Sequence, residues 1–302
     1  MGNGMSEEER RDREKRAMDE FASHISEGPD LRVNKTIKMF TSLDSSDHLR
    51  QHYEKRKEEA GSRAEDCIKS LMEKLGDLTP APELAGLGAL AIAVLIDMDS
   101  SGPPEESTKE ALRRVFAEEK ASEVWDHIDN TEELGADIRR IEVQLSAAIT
   151  KLKNSMVRDG HVTPEALKAW VNGAAFHIQM LIHLVRLGGT QSCDPVERLL
   201  SAYLSDLDLL FKKHREMIRG KCEIDREYNS SYSEMDPWDF YLVDEDSVLH
   251  LLSPSGLTFE QYFEAYYNRR YITQKLETQT YFSDVRRNLQ QLVDQTGSFN
   301  VN

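Results

Sequence analysis

The sequence predicts an all-α protein: an antiparallel bundle of long helices with a central apolar helix, followed by an additional C-terminal helical segment. Three observations support this prediction. Apolar residues recur at helical spacing through most of the chain, capping residues precede those segments, and strand signals are sparse. Residues 240–243 are the one weak strand candidate. At 302 residues, the chain is long enough to bury a substantial core.

Residues 1–45 are predicted to form a charged N-terminal helical arm. Ser6 and Glu9 form an S-x-x-E capping box, in which each side chain accepts a backbone N–H at the start of a helix. This helix is expected to extend to about Ser26 and to end at Gly28-Pro29, because glycine and proline do not continue a helix.

Residues 46–228 are predicted to form the bundle core. Residues 134–156 place apolar side chains at steps of three and four, which is the spacing of one helix face. Thr163-Pro164-Glu165 is a strong helix start, with proline at the first helical position, and Asp194-Pro195 begins another helix. Short connections between such helices favour antiparallel neighbours.

Two segments without charged side chains, residues 84–96 and 169–185, are expected at the centre of the bundle. A helix that is apolar on all sides must be surrounded by protein. Residues 84–96 are too short to span a bilayer, which needs about 20 apolar residues, and the second segment contains polar residues such as Asn172 and His177.

Residues 229–302 are predicted to contain an acidic-aromatic loop and a C-terminal helical segment packed on the bundle. The composition of residues 227–256 indicates irregular structure. Thr258 and Gln261 then cap a last amphipathic stretch that ends near Val293.

The charge balance disfavours nucleic acid as a partner. The net charge is −16, whereas a protein that binds nucleic acid uses cations to displace counterions from phosphate. The same balance disfavours general attraction to an anionic membrane surface. Three scattered cysteines and no apolar leader predict the cytoplasm, and we expect no cofactor.

The first six residues, Met1-Gly2-Asn3-Gly4-Met5-Ser6, fit the N-myristoylation pattern M-G-x-x-x-[ST]. Over these residues the chain resembles acylated signalling proteins, which implies that Gly2 accepts a myristoyl chain after Met1 is removed. The acidic residues 7–9 depart from such substrates, which more often carry basic residues there. One myristoyl chain binds a membrane only marginally, so peripheral attachment would be reversible.

Residues 84–96 allow an alternative function. A latent membrane-perturbing or pore-forming-like protein hides such an apolar segment and exposes it at a membrane. This comparison concerns architecture and not a shared motif. The large apolar residues of the segment are Leu84, Leu87, Leu90, Ile92, Leu95 and Ile96.

Two patterns approach metal sites without completing one. His48 and His52 are four residues apart and can share a helix face, but no third ligand is near. Residues 97–108 begin like a calcium-binding loop, yet Thr108 stands where a bidentate glutamate is required. We therefore expect no metal site.

No catalytic signature is present in the sequence. P-loop, G-x-S-x-G and kinase motifs are missing. His177 and His183 lie in the charge-free segment and are expected to be buried structural histidines. An enzyme with dispersed catalytic residues would instead need a polar pocket with clustered titratable groups.

Residues 223–246 combine nine acidic residues and one basic residue with several aromatic side chains. Carboxylates can steer a basic partner, and aromatic side chains supply contact area. In the alternative interpretation, this stretch is a solvated loop whose aromatic residues pack onto the bundle. The predicted docking residues are Trp238, Phe240, Tyr241, Asp244, Glu245 and Asp246.

The sequence therefore predicts a non-enzymatic, cytosolic helical interaction or scaffold protein. Its partner is expected to be a protein, and Gly2 would provide a reversible membrane tether.

Overall fold

The structure is a computed structural model that describes residues 6–34, 37–38, 131–186, 192–228, 238–252 and 257–294. Of these residues 74% are helical, so the chain is mostly helical, as predicted. It is not all-α, because one small three-stranded sheet is present. The lipidation candidate Gly2, the pair His48 and His52, and the segments 84–96 and 97–108 lie outside the described residues.

The described helices begin close to the positions that the sequence predicts. Pro164 and Asp194 each begin a helix, and both capping boxes, at Ser6 and at Thr258, are formed. A π-helical turn, Asn268–Ile272, interrupts the C-terminal helical stretch and was not predicted. The α-helices are α1 (Glu7–Ser23), α2 (Thr131–Arg158), α3 (Pro164–Arg186), α4 (Asp194–Lys221), α5 (Phe259–Tyr267), α6 (Thr273–Arg287) and α7 (Leu289–Asp294).

The chain divides into two compact units. Unit 1 comprises Met1–Leu31 and Phe211–Leu276, and unit 2 comprises Arg32–Leu210 and Glu277–Asn302. Two of the three unit boundaries fall within α4 and α6, and the third lies between Leu31 and Arg32. The three consecutive domains suggested by the sequence, 1–45, 46–228 and 229–302, stay a prediction.

Unit 2 is built on apolar helix faces. Helix α2 packs against α3, and α3 also contacts α7. Leu145, Ile149 and Met156 of the predicted stripe on α2 are buried. In α3, every residue from 170 to 180 is buried, so the burial predicted for the charge-free segment is confirmed there.

Unit 1 has an aromatic core. Helix α1 packs against α5, where the Phe21 ring meets the Tyr262 ring at 5.0 Å. Phe263 and Tyr266 of α5 are fully buried, and Tyr271 of the π-helical turn is almost fully buried.

The sheet replaces the irregular stretch predicted for residues 227–256. Its strands are β1 (Glu223–Tyr228), β2 (Trp238–Val243) and β3 (Leu249–Leu251), paired antiparallel in the order β1-β2-β3. The weak strand signal at residues 240–243 falls within β2. Strand β1 was missed because aspartate and glutamate are unfavourable in strands, and β3 is too short to show alternation.

Candidate protein-interaction surface

One end of the inner face of the sheet packs onto the aromatic core of unit 1, whereas Ile224, Trp238 and Phe240 on the same face are exposed. Leu242 and His250 are opposite each other on β2 and β3, and Leu242 is fully buried. The His250 ring meets Phe21 of α1 edge-on at 6.3 Å and lies 5.7 Å from the ring of Tyr266 in α5. Leu242 and His250 therefore anchor this end of the sheet to the helices of its own unit.

The opposite face carries apolar side chains at one side and carboxylates at the other. Directly opposed residues of antiparallel strands share a face. One such row contains Leu251, Tyr241 and Asp225, and a second row contains Leu249, Val243 and Glu223. Each row passes from an apolar residue on β3 to a carboxylate on β1. These six residues, together with Glu227 and Asp239, are called the outer sheet face.

The two leucines of β3 on the outer sheet face are exposed, whereas Tyr241 and Val243 of β2 are half-buried. Leu249 keeps 44% of its surface exposed and Leu251 keeps 60%, while Val248 beside them keeps 51%. Glu223 and Asp225 are exposed as well. Sequence analysis missed the two leucines because a three-residue strand is too short for a periodic signal.

The predicted docking residues do not form a single surface. Phe240 and Tyr241 are neighbours on β2, so their side chains lie on opposite faces of the sheet. Trp238 and Phe240 share a face with Leu242, yet they keep 38% and 42% of their surface exposed. The guanidinium of Arg226 lies over the Trp238 ring, 4.8 Å from its centroid.

Asp244 organises the turn between β2 and β3. Its Oδ1 accepts hydrogen bonds from the backbone N–H of Asp246 and of Val248, each at 2.9 Å. Its Oδ2 lies 2.8 Å from Nε2 of His250. Burial raises the pKa of Asp244, but these hydrogen bonds outweigh burial, so the pKa is lowered. Asp244 is therefore a buried turn residue and not part of the exposed surface.

Glu245 is also largely buried, at the centre of a polar cluster with α5 and the π-helical turn. The hydroxyls of Tyr266 and Tyr271 donate to its carboxylate, the latter at 2.6 Å. Arg270 Nε lies 3.2 Å from Glu245 Oε1. Burial and then the hydrogen bond to Glu245 raise the pKa of both tyrosines, which keeps them neutral donors. Of the three predicted acids, only Asp246 is exposed, and it pairs with Arg270.

In unit 2, His177 has partners that the sequence could not identify. Its Nδ1 lies 2.6 Å from the Tyr203 hydroxyl, and its Nε2 lies 2.6 Å from Glu142 Oε1. The histidine is 1% exposed, and burial followed by Glu142 raises the pKa of Tyr203. These contacts connect α2, α3 and α4 by buried hydrogen bonds, in agreement with a structural histidine. The side chain of His183 lies outside the described residues.

Within the described part of the chain, no group of three or more His, Cys, Asp or Glu side chains is arranged to hold a metal ion. Among the helices described, none combines the length and the apolar composition needed to cross a bilayer.

Comparison of the chain with protein families, with curated proteins and with solved structures finds no match in any of the three. A functional conclusion therefore depends on the residues of the chain itself.

Proposed function

We propose that this chain is a non-enzymatic helical interaction or scaffold protein that binds a protein partner on the outer sheet face. The observation that supports it is the exposure of Leu249 and Leu251 on the same face, two residues apart on β3. Single exposed leucines are ordinary, whereas clustered apolar side chains bordered by charged residues are typical of interaction sites.

The charge on this face supports a basic partner. Glu223, Asp225 and Glu227 recur on the same face of β1, beside the apolar residues of β2 and β3. Carboxylates at the rim of an interface accelerate association with a cationic partner and discourage anionic ones. The apolar residues would then provide most of the affinity.

The remainder of the chain would act as the scaffold. We propose that residues 46–228 form an antiparallel bundle, which is supported by the buried apolar stripe of α2 and by the buried segment of α3. The short link between these two helices, residues 159–163, favours antiparallel neighbours.

We further propose that the protein lies in the cytoplasm and attaches reversibly to membranes through myristoylated Gly2. The N-terminal pattern supports the tether, and the capping box at Ser6 shows that the hydroxyl position can also begin α1. Mass spectrometry of the N-terminal peptide from eukaryotic cells tests it. A myristoyl adduct on Gly2 is expected, and a retained Met1 or an acetylated Gly2 would remove the tether from the account.

Site-specific photo-crosslinking tests the docking surface. A benzophenone amino acid is placed at position 251, and as a control at position 276, where Leu276 of α6 is 54% exposed. We expect one discrete protein adduct from position 251 in intact cells and none of that mass from position 276. The same adduct from both positions, or none from position 251, would contradict the proposal.

A second candidate function is a latent membrane-perturbing protein that exposes residues 84–96. It is supported by the 13 consecutive residues without a polar side chain. Dye release from liposomes tests it, with Leu90→Asp as the variant. Leakage that this variant abolishes while the protein stays folded would support it, and no leakage by the wild-type chain would exclude it.

A further inference from the structure

The outer sheet face has two parallel columns of side chains whose chemistry differs. Resting on the proposed function, we propose that it binds a basic amphipathic α-helix of the partner. The helix would lie along the strands, with its apolar stripe on β3 and β2 and its lysine or arginine side chains over β1.

The spacing of the acidic column fits cations on one stripe of a helix. Glu223, Asp225 and Glu227 are each two residues apart, so they recur about every 6.6 Å along β1. Residues four apart on an α-helix rise about 6 Å. Cations at helix positions i, i+4 and i+8 therefore have nearly the same spacing as the three carboxylates.

The width of the face also fits one helix. Strands β1 and β3 are separated by β2, so they lie about 10 Å apart at the usual strand spacing. An α-helix with its side chains is about 10–12 Å wide. A single helix can thus contact Leu249 and Leu251 with one stripe and approach Glu223 and Asp225 with the adjacent stripe.

An added strand fits the acidic side of the sheet less well. The backbone N–H of Arg226 on β1 donates to Oδ1 of Asp225 at 2.7 Å, so a side chain already occupies that donor. Charged residues along an edge strand also oppose pairing with another chain. A fourth strand beside β3 would lie too far from the carboxylates of β1 to use them.

The negative charge of the outer sheet face favours a basic partner over two other possible occupants. A second copy of this chain would bring the same carboxylates together, and the chain carries a net charge of −16. An anionic membrane surface would meet the same repulsion. A cationic helix gains from the charge that penalises both.

Binding is tested with the full chain and a labelled synthetic peptide about 15 residues long, which as a helix would span about 22 Å, slightly longer than β1. Its leucines form one stripe and its lysines the adjacent stripe. Three matched peptides replace lysine by glutamate, scatter the same residues around the helix, or place a central proline. Fluorescence anisotropy is expected to give binding by the first peptide and at least about tenfold weaker binding by the other three.

Chain variants locate the binding site. Leu251→Lys is expected to raise the peptide Kd by about tenfold, while Leu276→Lys on α6 leaves it unchanged. Glu227→Lys is expected to raise the Kd and also to restore binding of the glutamate peptide. Glu20→Lys on α1, an equal change of charge at an exposed helical site, should do neither.

Several outcomes would overturn the inference. These are no binding by the lysine peptide, equal binding by the proline peptide, or an equal response to Leu251→Lys and Leu276→Lys. If the inference fails while position 251 still yields its cellular crosslink, the interaction function stands and only the helical, basic partner is wrong. If the crosslink is missing as well, the proposed function fails with it.

Discussion

The hydroxyl of Tyr271, in the π-helical turn, donates a 2.6 Å hydrogen bond to Oε1 of Glu245, in the turn between β2 and β3. A π-helical turn rotates the side chains that follow it relative to a regular α-helix. Here the adjacent residues Arg270 and Tyr271 both contact Glu245. The sheet is therefore attached to α5 and the π-helical turn by a buried ionic cluster in addition to apolar packing.

Glu245→Gln should destabilise the fold. The variant keeps the shape of the side chain but leaves Arg270 without its buried carboxylate, which typically costs about 3 kcal/mol. Tyr266→Phe removes one hydrogen bond and should cost about 1 kcal/mol. Urea unfolding of both variants measures the difference. A loss for Glu245→Gln no larger than that for Tyr266→Phe would contradict the expected contribution of the buried ion pair.

Gly28→Ala should destabilise the fold through a steric clash. A Cβ at this position would lie 2.5 Å from Cε1 of Tyr271, whose ring is fixed by Glu245. We expect a loss of about 1–3 kcal/mol in unfolding free energy. Gly220→Ala in α4 is the matched control, because no described residue has an atom within 4 Å of the added Cβ, so it should stabilise by about 0.5–1 kcal/mol. The same sign for both variants would contradict the close approach.

His214 should make stability depend on pH below neutrality. Burial, followed by the charge of Lys221, lowers its pKa to about 4. The unfolded histidine titrates near about pH 6.5, so the unfolded state takes up its proton first as the pH falls. The stabilisation of the neutral form is complete above about pH 6.5 and is lost as the pH falls to about 4.

The variant His214→Phe isolates this titration. Among the described residues, Nε2 of His214 has no hydrogen-bond partner, and the Tyr267 hydroxyl that contacts Nδ1 also donates to the Phe211 carbonyl. Phenylalanine should therefore be tolerated at pH 7 and should gain stability relative to wild type between about pH 6.5 and 4, by up to about 3 kcal/mol. A difference in unfolding free energy between His214→Phe and wild type that stays the same at every pH would contradict the lowered pKa of His214.

Asp244→Asn should cost stability only where the carboxylate is ionised. The pKa of Asp244 is lowered in the fold, so its contribution is present above about pH 4, the unfolded value, and is lost as the pH falls through the folded pKa. We expect a loss of about 1–3 kcal/mol at pH 7, from the hydrogen bonds of His250 and two backbone N–H groups to the ionised carboxylate. Chemical unfolding at pH 7 and pH 3 should show a smaller difference in unfolding free energy between wild type and Asp244→Asn at pH 3.

Helix starts could be predicted because their signals are local. Ser6 and Thr258 satisfy backbone groups within three residues, and Pro164 is favourable at the first position of a helix whatever surrounds it. Strand β1 could not be predicted, because its acidic sequence does not favour a strand by itself. It is stabilised by pairing with β2, which lies further along the chain. The sheet therefore depends on tertiary contacts that local preference does not contain.

The candidate site was predicted in region but not in detail. Asp244, Glu245 and Asp246 carry the same charge in the sequence, yet only Asp246 is exposed in the fold. Asp244 and Glu245 are buried beside partners that only the fold supplies, which are His250 for Asp244 and the hydroxyls of Tyr266 and Tyr271 for Glu245. Alternation along β2 likewise separates Phe240 from Tyr241 once the strand exists.

The outer sheet face can bind a partner only if the chain itself does not cover it, and the unfolding free energy of Leu251→Lys measures this. We expect a change within about 0.5 kcal/mol of wild type, as for an exposed residue, while Leu242→Lys on the inner face should prevent folding. A loss above about 2 kcal/mol for Leu251→Lys would show that the chain already buries this face, and partner binding there would be ruled out.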